Sequence, residues 1–232
     1  MTDRPQDPRW PKLLSLSVHE FRTPMTVVAG YIRMLLKDRA GPVTEQQRRL
    51  LEEAEKSCAR LSALIAEMSD LGALEGDTAT FNHTDQDLSA LLAEVVAALP
   101  EVPDREISVT LQTPAAAPHV RGDGVRLKTA LTSVIYALRR ELVTSPDLFV
   151  RLEVHSHAGP AAAWIAIADA DHIERYAAAK PSALTTFDEW RGGVGLSLAV
   201  GRRVINAHGG TIWSPADGVK AGAVISLPVT GS

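Results

Sequence analysis

The chain has 232 residues, 45% of them hydrophobic, a formal net charge of -4 and a single cysteine, Cys58. That length suits one large or two small domains, and the slight acidity without a basic cluster argues against nucleic acid or an anionic membrane as partner. One cysteine excludes an internal disulfide and fits a cytoplasmic location; the start, Met1 to Pro11, is polar, and no apolar run approaches the roughly 18 residues that span a bilayer.

The first helix is expected from Pro11 to Asp38. Leu14, Val18, Phe21, Met25, Val28, Ile32 and Leu35 are spaced alternately by four and three residues, the seam of a packed helix. His19 sits one position off that seam, so its ring should flank the core and reach solvent. An imidazole beside a carboxylate on a helix is a good phosphoryl acceptor. Glu20 can take the proton from the far ring nitrogen as the near one attacks. Thr23 lies one turn on, where its hydroxyl could position a water. Pro24 removes one helix hydrogen bond and should loosen the helix just after the histidine.

Arg39-Ala40-Gly41-Pro42 is a stop signal, and Thr44-Glu45-Gln46-Gln47 reads as a capping box opening a second helix. Its seam is Gln47, Leu51, Ala54, Cys58, Leu61, Ile65 and Met68. Two long helices joined by a short turn make an antiparallel hairpin. One hairpin cannot cover two apolar stripes, so residues 11–74 are expected to pair with a second copy as a homodimeric four-helix bundle.

Glu75-Gly76-Asp77-Thr78 is a polar break, and residues 79–232 form the second domain. The pattern there predicts a short strand near Ala79-Thr80-Phe81, a helix from Asp87 to Leu99, and strands over Glu106–Leu111 and His119–Arg121. A helix over Asp123–Leu142 and strands over Leu148–His155 and Trp164–Ala168 follow. The chain closes with a helix over Gly195–Ala207 and strands over Thr211–Ser214 and Ala223–Leu227. The fold class is therefore α+β: a helical hairpin, then an α/β sandwich with helices on one face of a mixed sheet. His155 and His157 share a strand face but lack a third ligand, so no metal site is expected. Trp164, Trp190 and Trp213 are expected to pack in the core or a lid.

His19-Glu20-Phe21-Arg22-Thr23-Pro24 resembles the phospho-acceptor box of sensor histidine kinases. The second domain resembles the ATP-binding domain of the same family, a fold shared with gyrase, heat-shock protein 90 and mismatch-repair ATPases. Gly193-Val194-Gly195-Leu196 looks like the family's second glycine box, followed by Arg202 to His208 and Gly209-Gly210-Thr211-Ile212, which look like its closing helix and strand. Asp169 falls where the family's aspartate reads the adenine amino group, Asp123, Arg126 and Leu127 match the lead-in to its asparagine helix, and Phe187 its phenylalanine box.

The resemblance implies ATP and Mg²⁺ as cofactors, a receiver domain of a response regulator as partner, and His19, Glu20 and Thr23 as the catalytic set. Asp169, Gly193, Gly195 and Leu196 would then meet nucleotide. Three features depart from the pattern. The two asparagine positions read Ser133 and Ala137, and an alanine holds no Mg²⁺. Ala170, Asp171, His172 and Ile173 stand where the family has its first glycine box. The segment from Asp171 to Gly192, the family's lid, is shorter by about ten residues. Arg139 or Arg140 could neutralise phosphate charge instead. Two readings follow: an ATP-dependent kinase, or a phosphotransfer protein with weak or absent ATP turnover, fed by a partner kinase or the regulator and served by a separate sensor.

Overall fold

The structure, a computed structural model, describes residues 9–102, 105–156, 160–191, 193–219 and 221–230. The start up to residue 8, His157 and Gly192 lie outside the described residues. The chain divides into two units, Met1–Ala79 and Thr80–Ser232.

The first unit is two helices, α1 (Trp10–Leu36) and α2 (Glu45–Glu75). Pro11 sits in the first turn of α1, where its missing N–H costs no helical bond. The helix stops two residues before its expected end because Asp38 turns left-handed, with φ 54°, ahead of Gly41 at φ 104°. The capping box forms atom for atom: the Gln47 N–H donates to Thr44 Oγ1 at 3.3 Å, and the Thr44 N–H donates to Gln47 Oε1 at 2.8 Å. Arg48 reaches back across the turn to the Leu36 carbonyl at 2.8 Å and to Asp38. At the far end Leu14 faces Gly72 and Pro11 faces Gly76, so the helices run antiparallel.

The expected seam divides. Leu14 and Val18 are buried against α2 with Cys58 and Ile65, and Met25, Ile32 and Leu35 are half-buried. Phe21, Val28 and Leu61 instead stand exposed on the single hairpin, together with Leu13, Leu16, Val27, Tyr31 and Met34. Antiparallel packing of two helices consumes one narrow stripe of each.

The second unit holds a six-stranded sheet and a two-stranded ribbon. In chain order its elements are β1 (Thr84–Asp87), α3 (Leu88–Ala97), β2 (Ser108–Gln112), β3 (His119–Gly122), α4 (Gly124–Glu141), β4 (Asp147–His155) and β5 (Ala162–Ala168). There follow α5 (Ile173–Ala177), a 3-10 turn at Pro181–Ala183, β6 (Leu184–Thr186), α6 (Ser197–Ala207), β7 (Thr211–Pro215) and β8 (Ala223–Pro228). The strand order is β2-β4-β5-β8-β7-β6, with β2 and β4 parallel and every other pair antiparallel. β1 and β3 pair separately.

No strand forms at 79–81; β1 begins three residues later, and Phe81 turns its ring to His83 and His208. Helix α6 starts at Ser197, not Gly195, because Gly193 (φ 58°) and Gly195 (φ 68°) lie in the left-handed region. The aspartates Asp87 and Asp123 cap α3 and α4, accepting from the N–H of Ala90 and Arg126.

Strand alternation sorts the sheet into two faces. Leu152, Ile165 and Ile225 are cross-strand neighbours, as are Ala163 and Leu227, and Leu227 and Ile205 of α6 both flank Gly210. This is the face covered by α4 and α6, which pack on each other. Trp164, Ala166, Ala168 and Val224 point the other way, where Ile173, Tyr176 and Ala177 of α5 cover them. Thus the three longer helices share a face as expected, and the short α5, unread from the sequence, lies on the opposite one.

Candidate functional site

Helix α1 brings His19, Glu20 and Thr23 to one exposed surface. The His19 side chain is 76% exposed and that of Glu20 is 70%. The His19 Nδ1–H donates to Glu20 Oε1 at 3.2 Å, which leaves Nε2 directed away from the pair. The seat one position off the buried Val18 explains the exposure. Pro24 lies inside the helix without ending it. Its missing N–H leaves the Glu20 carbonyl without the usual i+4 donor. The hydroxyls of Ser17 and Thr26 donate to the carbonyls of Leu13 and Arg22, each at 2.9 Å, and so support the backbone on both sides.

Asp169 follows β5 and is buried. It meets His172 twice: the His172 Nδ1–H donates to Asp169 Oδ1 at 2.5 Å, and the His172 backbone N–H donates to the same oxygen at 3.1 Å. His172 in turn stacks on Tyr176, ring centroids 5.8 Å apart. Asp169 is therefore engaged by its own turn, with Oδ1 shared between two donors.

Gly193, Gly195 and Leu196 form the approach to α6, and Leu196 is its N-cap residue. The Ser197 hydroxyl closes the turn on the Val194 carbonyl at 2.8 Å. Arg140, at the C-terminal end of α4, donates to the Gly193 carbonyl at 3.0 Å and lies over the Tyr136 ring. Arg140 is thus joined to the glycine loop, whereas Arg139 turns away to the carbonyls of Ile107 and Pro100. Of the two asparagine positions, Ala137 is fully buried and Ser133 donates its hydroxyl to the Thr129 carbonyl. A methyl group has no atom to offer a metal ion.

The stretch 170–191 is fastened along its length. Arg151 on β4 forks onto Glu174 at 2.6 and 2.5 Å. The Trp164 indole donates to the Tyr176 carbonyl, and the Tyr176 hydroxyl donates to Asp217 at 2.9 and 3.1 Å. Burial, with some help from Asp169 and against Arg175, pushes the Tyr176 hydroxyl up to about 12. β6 joins the sheet edge beside β7. Phe187 is buried under the Arg191 guanidinium, 4.7 Å away, and the Glu189 carboxylate holds Arg202 and Arg203. Trp164 packs as expected, but Trp190 is 78% exposed. His155 stacks on Trp164 and bonds Glu153.

Sequence reasoning missed His172 as the partner of Asp169 and read it only as a displaced glycine. Its signal was the Asp-x-x-His spacing, which at a turn returns the ring to the aspartate. It also missed the buried His208, whose signal was a histidine ending an apolar helix.

Residues 12–77 match the His Kinase A (phospho-acceptor) domain family, and His19 lies on the first of that domain's two helices. This hairpin is a histidine kinase phospho-acceptor domain. Relatives of the chain carrying it include histidine kinases. The circadian input-output histidine kinase CikA of Synechococcus elongatus is 27% identical over 209 residues, 87% of this chain and 27% of that protein. The signal transduction histidine-protein kinase BarA of Escherichia coli is 28% identical over 209 residues, 84% of this chain and 22% of its own length. The chain thus spans about a quarter of these curated relatives. The phospho-acceptor hairpin with its sheet unit also resembles full-length ShkA, solved in complex with AMPPNP, at a TM-score of 0.67 and 20% identity, over 96% of this chain and 46% of that one. The Acinetobacter baumannii histidine kinase AdeS resembles it at 0.56 and 19%, over 92% and 98% of the two chains. No described helix is long and apolar enough to cross a membrane.

Proposed function

We propose that this chain is a phosphoryl carrier of two-component signalling: His19 exchanges a phosphoryl group with an aspartate of a response-regulator receiver domain, in the cytoplasm, with weak or absent turnover of ATP. The observation that carries the reading is the exposed His19 ring whose Nδ1 is held by Glu20 at 3.2 Å. That bond selects Nε2 as the nucleophile. As Nε2 forms a bond to phosphorus, the bond from phosphorus to the donor oxygen breaks, and the Nδ1 proton moves to Glu20. Thr23, one turn away, positions water for hydrolysis of the regulator's acyl phosphate.

Three observations support weak ATP turnover: the buried Ala137, the engagement of Asp169 by His172, and the fastening of the stretch 170–191. The exposed stripe through Leu13, Val27, Tyr31 and Met34 supports a homodimer through the hairpins. A second reading, an ATP-dependent kinase, draws on the two left-handed glycines leading into α6, a place where backbone N–H groups meet phosphate.

The test offers two sources of label. Wild type and His19→Ala are incubated with γ-labelled ATP and Mg²⁺, and separately with a labelled phospho-receiver domain. Acid-labile label on wild type from the receiver and little from ATP is expected. Efficient labelling from ATP overturns the carrier reading in favour of the kinase, and labelling of His19→Ala overturns both.

A further inference from the structure

The segment that opens the second unit, residues 80–83, is held by a cluster centred on His208. This ring is buried at the C-terminal end of α6. Its Nδ1 lies 2.7 Å from the Val204 carbonyl, and its Nε2 lies 2.9 Å from the Asp123 N–H. A carbonyl only accepts and a backbone N–H only donates, so the two bonds define one neutral tautomer with the proton on Nδ1. The ring occupies the space a Cβ on Gly122 would fill, 2.6 Å from its Cδ2.

Two aromatic rings of the opening segment rest on it. Phe81 meets His208 edge-on at 5.3 Å, and His83 lies at 5.3 Å as well. The Arg126 guanidinium covers the Phe81 ring at 5.1 Å. The same Asp123 whose N–H bonds the imidazole accepts the Asn82 N–H on its carboxylate at 3.0 Å. Burial of that carboxylate works against its charge, but the N–H groups of Asn82 and Arg126 hold it below the usual range. One turn, at Asp123, therefore connects the imidazole to the opening segment.

We propose that His208, with His83 beside it, is a proton-sensitive latch that holds residues 80–83 on the sheet unit and releases them in acid. A second proton can only go to Nε2, where it faces the Asp123 N–H, donor against donor. Among the described residues, the charges around the ring divide: His83 and Arg126 oppose the new cation, and the Asp123 carboxylate favours it. The proton enters when the bond from Asp123 is given up and the turn shifts, and Asn82 loses its carboxylate partner with it. Released, four residues add roughly 13 Å of reach to the connection between the units, at about 3.3 Å per residue. The latch thus sets how much free chain leads into the sheet unit.

Burial, reinforced by His83 and Arg126 and opposed by the Val204 bond and Asp123, keeps His208 below the ordinary 6.5 of a histidine. Release therefore belongs to the acid side of that value.

The test uses the full chain. Imidazole protonation is followed by NMR, and the protection factor of the Asn82 amide, corrected for intrinsic exchange, is followed alongside it. The expected result is a fall of about tenfold or more in Asn82 protection as the pH is lowered from about 7 to the acid side of 6.5, in step with His208 protonation. His208→Gln removes the step. His83→Gln, at an exposed position, moves the midpoint to higher pH and serves if the first variant does not fold. A flat protection profile, a step that persists in His208→Gln, a midpoint unmoved in His83→Gln, or loss of protection throughout the sheet at the same pH overturns the latch.

Discussion

The Asp169 carboxylate holds the imidazole of His172 at 2.5 Å, on the same oxygen that takes the His172 backbone N–H. A purine amino group arriving at that oxygen has to displace the ring. Removing the ring leaves the carboxylate with one donor fewer. His172→Ala is expected to tighten ADP binding by about tenfold, about 1.4 kcal/mol, the scale of one hydrogen bond to a charged group. Isothermal titration calorimetry measures it; equal affinity in the two proteins refutes the competition.

Restoring an asparagine at position 137 does not by itself restore a metal site. Ala137 is fully buried, so an amide there is overpacked and loses its water. Ala137→Asn is expected to cost about 1–3 kcal/mol, read by thermal unfolding as a lower midpoint, and to leave nucleotide affinity independent of Mg²⁺. A metal-dependent gain in affinity would contradict the packing seen around this position.

Glu20→Gln keeps the size of the side chain but no longer accepts a proton from His19. Transfer from a phospho-receiver domain to His19 is expected to slow by about 10²-fold or more, with the helix content of the hairpin unchanged by circular dichroism. Wild-type transfer rates in the variant would assign Glu20 to the helix surface alone.

Tyr176 offers a signature in alkali. Its hydroxyl, held in burial beside Asp217, ionises near 12, above the ordinary 10. An acid whose pKa is raised on folding stabilises the fold fully below the unfolded value, and that contribution is lost as pH rises from about 10 toward 12. Phenolate absorbance of the native chain should show a step near 12, and Tyr176→Phe should delete that step.

Tyr31 is 63% exposed on the apolar stripe of α1. If two hairpins pair through that stripe, a carboxylate there is buried without a partner. Tyr31→Asp, with Val27→Asp as a second variant, should convert a two-chain mass in light scattering to a one-chain mass. A wild-type chain that is already single at micromolar concentration removes the dimer.

The long elements were legible because their signals are local and redundant. The capping residues Thr44 and Gln47 and the aspartate caps Asp87 and Asp123 are settled by bonds three residues apart, which a sequence displays directly. The exposure of His19 followed from its place beside the apolar seam. The single hairpin covers only part of the seam: spacing assigns Phe21 and Val28 the same rank as Leu14, and contact with α2 decides which stripe one hairpin buries. α5 and β6 are too short for either periodicity to register, and each is stabilised by distant partners, Tyr176 by Trp164 and Leu184 by Pro215 across the strand pair. The polar run Thr84–Asp87 has no strand pattern and is a strand because β3 pairs with it. In the candidate site, the residue types were readable and their mutual engagement was not: nothing in the spacing of Arg140 and Gly193 announces a bond across 53 positions.

The strap from Asp169 to Arg191 is sewn to the outer face of the sheet by Arg151, Trp164 and Asp217. A visitor to this edge meets a finished surface. It need not freeze a loose segment on arrival, an expense of about 1–2 kcal/mol for every backbone residue ordered. Association there is governed by shape and charge already in place, and its heat-capacity change should be that of rigid docking, without the signature of folding on contact.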